Sequence, residues 1–214
     1  MERLKNEKWN ILITALACLL PILIGLYFWD QLPDQIPTHF GPSGEPDSYS
    51  PKSFAVYGMP CIMLAGHLFG ACVTALDPRR KSISDGIYHL ILWMIPCLSL
   101  FICYMTLGTA LNLKIDITKS TMILTGFIFL IIGNILPKCR QNYTVGIKLP
   151  WTLDDVENWN KTHRLAGYLY MICGLLIIVN SIIGGSFWLN FGFMMVAVIL
   201  PCIYSFLYYI RTKG

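Results

Sequence analysis

Long apolar runs alternate with short polar connections along the whole chain. Six runs, at 11–29, 54–76, 87–111, 120–136, 165–183 and 187–209, reach the length of roughly 17 to 25 residues that a helix needs to cross a bilayer. The pattern predicts an all-α fold, a polytopic transmembrane helical bundle of about six spans. It also divides the chain. Residues 1–10 form a charged N-terminus, 11–111 hold three spans with an external loop at 30–53, and 112–214 hold three more with a polar loop at 137–164. Pro21, Pro60, Pro96 and Pro201 fall inside runs and Pro137 ends the fourth, so each can kink or stop a helix. Gly66 and Gly70 make a small-xxx-small pair whose simplest use is close helix packing.

Composition agrees with this pattern. A mean hydropathy of +0.58 with 13% charged residues is incompatible with a water-soluble globule. The basic residues cluster in alternate connections: Arg3, Lys5 and Lys8; Arg79, Arg80 and Lys81; Lys138, Arg140, Lys148, Lys161 and Arg164; Arg211 and Lys213. The opposite connections hold only Lys52, Lys114 and Lys119. Basic residues are retained on the cytoplasmic side, which predicts a multi-pass membrane protein with both termini in the cytoplasm. The net charge of +4 therefore reports topology and not nucleic-acid binding. Of eight cysteines only Cys139 lies outside an apolar run, so no disulfide framework is implied. The first apolar run is too long for a signal peptide and lacks a small-residue cleavage site, which reads as a span that is kept.

The loop at 137–164 is the longest polar passage after the first external loop. Thr152 with Asp155 predicts a helix from Leu153 that carries Trp159 to headgroup depth and a cationic cluster to the inner leaflet. A plain cytoplasmic loop does not account for its mixture of Asn, Gly, Pro, Trp, Thr and His. The series Gly133-Asn134, Pro137-Lys138, Arg140, Asn142, Gly146-Ile147, Pro150-Trp151-Thr152, Trp159, Lys161-Thr162-His163-Arg164 and Gly167 resembles the signature of the SdpI family of bacterial membrane proteins. That resemblance implies immunity to a secreted peptide toxin, with a further signalling role in which a small transcriptional repressor is held at the membrane. It implies a cytoplasmic binding surface drawn from Asn134, Pro137, Lys138, Arg140, Asn142, Gly146, Pro150, Trp151, Thr152, Trp159, Thr162, His163 and Arg164. The partners it implies are membrane lipid, a peptide outside and a repressor inside, with no direct nucleic acid.

The Pro- and Gly-dense external loop predicts a compact chain of turns. Leu32-Pro33, Ile36-Pro37-Thr38-His39-Phe40, Gly44 and Asp47 resemble a module of unknown function found at the N-terminus of that family. Asp34, His39, Glu45 and Asp47 are its candidate binding residues. They could bind a divalent metal, but their spacing does not demand one, and the preferred reading is that these polar side chains satisfy turn amides.

No cofactor and no catalytic residue is expected. The chain lacks a zincin pair, a phosphate-binding glycine loop and a nucleophile elbow, and the helix dipole accounts for Asp154, Asp155 and Glu157. His67, mid-span, is either a proton-relay or cavity residue or an interhelical hydrogen-bonding group. His89 reads as the latter, and Asn134 as an amide tying the fourth span to the loop. A small transporter or permease, with His67, Asn180 and the span prolines lining a midplane site, is the alternative from another class. A third reading is a membrane enzyme whose Lys138, Arg140 and Arg164 hold an anionic headgroup.

Overall fold

The computed structural model describes the backbone of residues 2–213 and the side chains of 3–212. Met1, Gly214 and the side chain of Lys213, counted above among the cytoplasmic cations, lie outside the described residues. Six helical segments among those described are long and apolar enough to cross a membrane: Lys8–Tyr27, Phe54–Leu76, Asp85–Ala110, Ile117–Lys138, Val156–Ile182 and Phe187–Thr212. Their outward faces carry large apolar side chains such as Leu23, Phe69, Ile172 and Leu207. This is how helices read when lipid, not water, is their surroundings.

The chain divides into two compact units, Met1–Leu76 with Ser84–Ile117, and Asp77–Ile83 with Thr118–Gly214. In the first, α1 (Glu2–Asn6) leads into α2 (Lys8–Tyr27). Every buried position of α2, at Thr14, Cys18, Pro21 and Gly25, is small or polar. That face lets α3 (Met59–Leu76) and α4 (Asp85–Ala110) come close. A Cβ on Gly25 would lie 2.6 Å from Val56.

Polar side chains on these faces bond to one another. His67 is buried with its Nε2 3.0 Å from Thr14 Oγ1. The Thr14 hydroxyl donates to the carbonyl of Asn10 at 2.7 Å, so His67 is the donor to Thr14. His89 Nε2 lies 3.0 Å from Glu7 Oε2, and Ser99 donates to the carbonyl of Cys18 at 3.1 Å. The His67–Thr14 and Ser99–Cys18 bonds are of the interhelical kind that satisfies polar groups within spans, whereas Glu7 precedes α2 and joins His89 at the end of the helices.

The loop between α2 and α3 is not a chain of turns, as the sequence suggested. It forms an antiparallel hairpin, β1 (Gln35–Phe40) with β2 (Pro46–Pro51), followed by a π-helical turn at Phe54–Gly58. Pro37, which would interrupt a central strand, is tolerated in a two-stranded sheet with a bulge beside it. Ile36 is fully buried and, with Leu32, packs on Ala55, Val56, Cys103 and Leu107. Lys52 locks the base, its Nζ donating to the carbonyls of Trp29 and Leu32 at 3.2 Å each.

The second unit contains α5 (Ile117–Ile135), α6 (Pro150–Asp154), α7 (Val156–Ile182) and α8 (Phe187–Lys213). Here α5 and α7 cross on two glycine pairs. A Cβ on Gly126 would lie 2.8 Å from the carbonyl of Gly174, and one on Gly133 would lie 2.9 Å from that of Gly167. Close packing thus falls at these glycines and not at the predicted pair, since a Cβ on Gly66 or Gly70 meets nothing within 4 Å. Asn180 is displaced from its expected place as well. It sits in the last turn of α7, where its Nδ2 donates to the Ser186 carbonyl (3.0 Å) and to Asn190 Oδ1 (2.9 Å), closing the turn into α8.

Candidate functional site

α5 ends in a 3-10 turn at Leu136–Lys138, and the chain then crosses an irregular stretch to α6. A helix running from Leu153, with Thr152 as its cap, does not form. Thr152 instead closes the short α6, its Oγ1 accepting from the N–H of Leu149 at 2.9 Å. Asp155 breaks the chain and caps α7, its Oδ1 accepting from the N–H groups of Glu157 (2.7 Å) and Asn158 (3.1 Å). Two helix starts are needed because Pro150 and Asp155 each satisfy a separate N-terminus.

Trp159 is not an interfacial residue. It is 0% exposed, and its indole N–H donates to the Cys139 carbonyl at 2.8 Å. Its ring stacks on His163 with centroids 3.9 Å apart. His163 Nε2 accepts from the N–H of Ile147 at 2.9 Å, which leaves Nδ1 to carry the proton and donate to the Trp159 carbonyl at 2.7 Å. Gly146 has φ +120° and passes so close to this stack that a Cβ would meet His163 Nε2 and lie 2.9 Å from Trp159. Only glycine fits that backbone at that approach. Cys139, next to the indole bond, is buried, and burial pushes its thiol up to about 11.

Asn142 makes the turn that follows. Its Oδ1 accepts from the N–H groups of Thr144 (2.9 Å) and Val145 (2.7 Å), and its Nδ2 donates to the Arg140 carbonyl (2.8 Å). On the far side of Trp159, the Trp151 indole donates to Ser205 Oγ at 2.7 Å. Ser205 and Thr162 both donate to Asn158 Oδ1, at 2.9 and 3.0 Å. No buried side-chain nitrogen or oxygen among the described residues lacks a partner.

The motif residues therefore fall into two sets. Asn142, Gly146, Trp151, Thr152, Trp159, Thr162 and His163 build the inside of this end of the unit. Asn134, Pro137, Lys138, Arg140, Pro150 and Arg164 lie at its surface. Asn134, at the end of α5, accepts through Oδ1 from Lys138 Nζ at 2.8 Å, a bond to the first turn after the helix. Three groups that sequence reasoning passed over complete the inside: Asp77, Asn158 and Ser205, at 3%, 0% and 0% exposure. Asp77 was hidden in a short Arg- and Lys-rich connection, and Ser205 in an apolar run. Asn158 carried a signal, lying three residues beyond the capping Asp155.

On the β1–β2 hairpin, His39 Nδ1 is 2.5 Å from Asp47 Oδ1, and both side chains are exposed. Asp34 Oδ1 lies 3.9 Å from Lys52 Nζ, while Glu45 points to solvent. Among the described residues no three His, Cys, Asp or Glu side chains converge as a metal site would require.

Fold and site together define a multi-pass α-helical membrane protein with a small β-hairpin after its first span and a polar helix-end assembly. Residues 138–205, the segment that supplies most of this assembly, match the SdpI/YfhL protein family. Residues 16–64, which carry the hairpin, match a domain of unknown function, DUF1648. The chain is 25% identical over 210 residues to the Immunity protein SdpI of Bacillus subtilis (strain 168), an alignment covering 97% of this chain and 99% of that protein. The resemblance to the SdpI family read from the sequence is thus shown. No solved structure matches the chain.

Proposed function

We propose that this is a membrane immunity protein, which protects the cell that carries it from a secreted, membrane-active peptide toxin. The observation that carries the reading is the end-to-end similarity to an immunity protein, 97% of one chain against 99% of the other. In this reading both termini and the 137–164 loop face the cytoplasm, by the distribution of basic residues. The hairpin is the outward surface that meets the peptide. Any relay to a small repressor takes place at the exposed cations Lys138, Arg140, Lys148 and Arg164, because the buried motif residues have spent their hydrogen bonds on one another.

The test is survival. Expressed in a toxin-sensitive strain, the protein raises the lethal dose of the peptide; an unchanged dose, with the protein verified in the membrane, rejects the reading. Alanine at Arg140 and Arg164 separates the two parts of the proposal. Both side chains are exposed, so the fold is kept, and the expected result is retained survival with loss of the relay.

A further inference from the structure

Asp77 lies outside both matched segments, in the connection directly after α3. That connection, Asp77–Ile83, belongs to the compact unit that contains the motif. Asp77 is 3% exposed, a place where a carboxylate is costly unless hydrogen bonds compensate it. Three donors do so. Its Oδ2 accepts from the N–H of Tyr143 at 2.9 Å and from the Thr144 hydroxyl at 2.6 Å. Its Oδ1 accepts from the N–H of Arg79 at 2.7 Å. The Arg79 guanidinium is directed elsewhere, to Gln141 Oε1 at 2.5 Å and over the Tyr143 ring at 4.8 Å. Gln141 in turn donates to the carbonyls of Thr152 and Leu153 at 2.8 and 2.7 Å.

The turn at Asn142 is thereby held from both sides. Asn142 grips the N–H groups of Thr144 and Val145 from within, and Asp77 grips Tyr143 and Thr144 from without. The Thr144 carbonyl then accepts from the exposed Lys148 Nζ at 2.9 Å. We propose that Asp77 is the positioning residue of the loop between α5 and α6: its carboxylate fixes the Tyr143–Thr144 turn and, through Thr144, the surface cation Lys148. The proposal stands on this geometry and not on the immunity reading, so its test uses no toxin.

The loop's own Cys139, four residues before Tyr143 and 4% exposed, is the reporter. In detergent-solubilised protein with the other seven cysteines replaced by alanine, its maleimide-labelling rate reads how often the loop opens. A charge-assisted bond is stronger than a neutral one, so Asp77→Ala is expected to speed labelling by about tenfold or more and Asp77→Asn by less. Thr144→Val speeds it about threefold in the parent and adds nothing in the Asp77→Ala background, because the bond it removes is already gone. Labelling of Asp77→Ala at the parent rate overturns the proposal, as does a Thr144→Val effect of equal size in both backgrounds. If Asp77→Ala does not yield a monodisperse helical protein, the same comparison in Asp77→Asn decides: a diminished Thr144→Val effect supports the proposal and an undiminished one overturns it.

Discussion

The N–H of Ile147, aimed at His163 Nε2 from 2.9 Å, leaves that nitrogen only the role of acceptor. The proton on Nδ1 is fixed by the carbonyl of Trp159, and the imidazole is neutral as long as both bonds hold. Gly146 makes the approach possible, so the two residues form one device. Gly146→Ala strains a positive-φ backbone and pushes a methyl group into the ring stack. It is expected to destabilise the protein by about 2 to 4 kcal/mol, more than an exposed Gly→Ala change does. His163→Ala strands the Ile147 N–H and uncovers Trp159, with an expected loss of about 2 to 3 kcal/mol. Thermal unfolding in detergent checks both, and a red shift in tryptophan emission accompanies the second if the indole is exposed. The sequence offered Trp159 as an interfacial group and His163 as a binding residue. It could not show that they stack, because residues four apart meet on one helix face only once the burial of that face is known.

At the scale of the element, the helices were legible and their contacts were not. Each span came from a property that every one of its residues shares, apolarity sustained over about twenty positions. Which face packs depends on a few residues, and two patterns competed for that role. Gly66-x3-Gly70 has the familiar spacing yet faces outward, whereas Gly126 and Gly133 on α5 meet Gly174 and Gly167 on α7, each pair seven residues apart. Two turns of an antiparallel crossing bring them into register. Gly133→Val and Gly167→Val place side chains where backbone carbonyls lie 2.9 Å from a Cβ, so each is expected to lower the melting temperature in detergent by several degrees. Gly66→Ala is expected to leave it unchanged or raise it slightly, because helix propensity improves and nothing is displaced. Equal shifts in all three would show that the glycine crossing does not hold α5 to α7. The hairpin was missed for the complementary reason. Its β1 and β2 stretches are only six residues each and broken by proline, and what makes them strands is the apolar platform of α4 and the π-helical turn beneath Ile36.

Across the whole molecule, sidedness is the property on which every assignment of a partner depends. Basic residues flank alternate connections, and the energetic preference for keeping Lys and Arg on the cytoplasmic side converts that alternation into a topology. Cys139, the only cysteine outside the apolar runs, is a poor probe of it. Burial keeps its thiol covered and pushes the pKa up to about 11, so thiolate is scarce at neutral pH and slow labelling says nothing about the side it occupies. Exposed positions serve better. Glu45→Cys in the hairpin and Lys148→Cys in the loop both replace solvent-facing side chains. In intact cells a membrane-impermeant maleimide is expected to label the cysteine at 45 within minutes and to leave that at 148 unlabelled until the membrane is permeabilised. The reverse result would put the hairpin inside and the cation-rich loop outside, and would overturn the proposed role of the hairpin as the outward surface. The pair of labelling rates thus decides which of the two matched segments faces the outside of the cell.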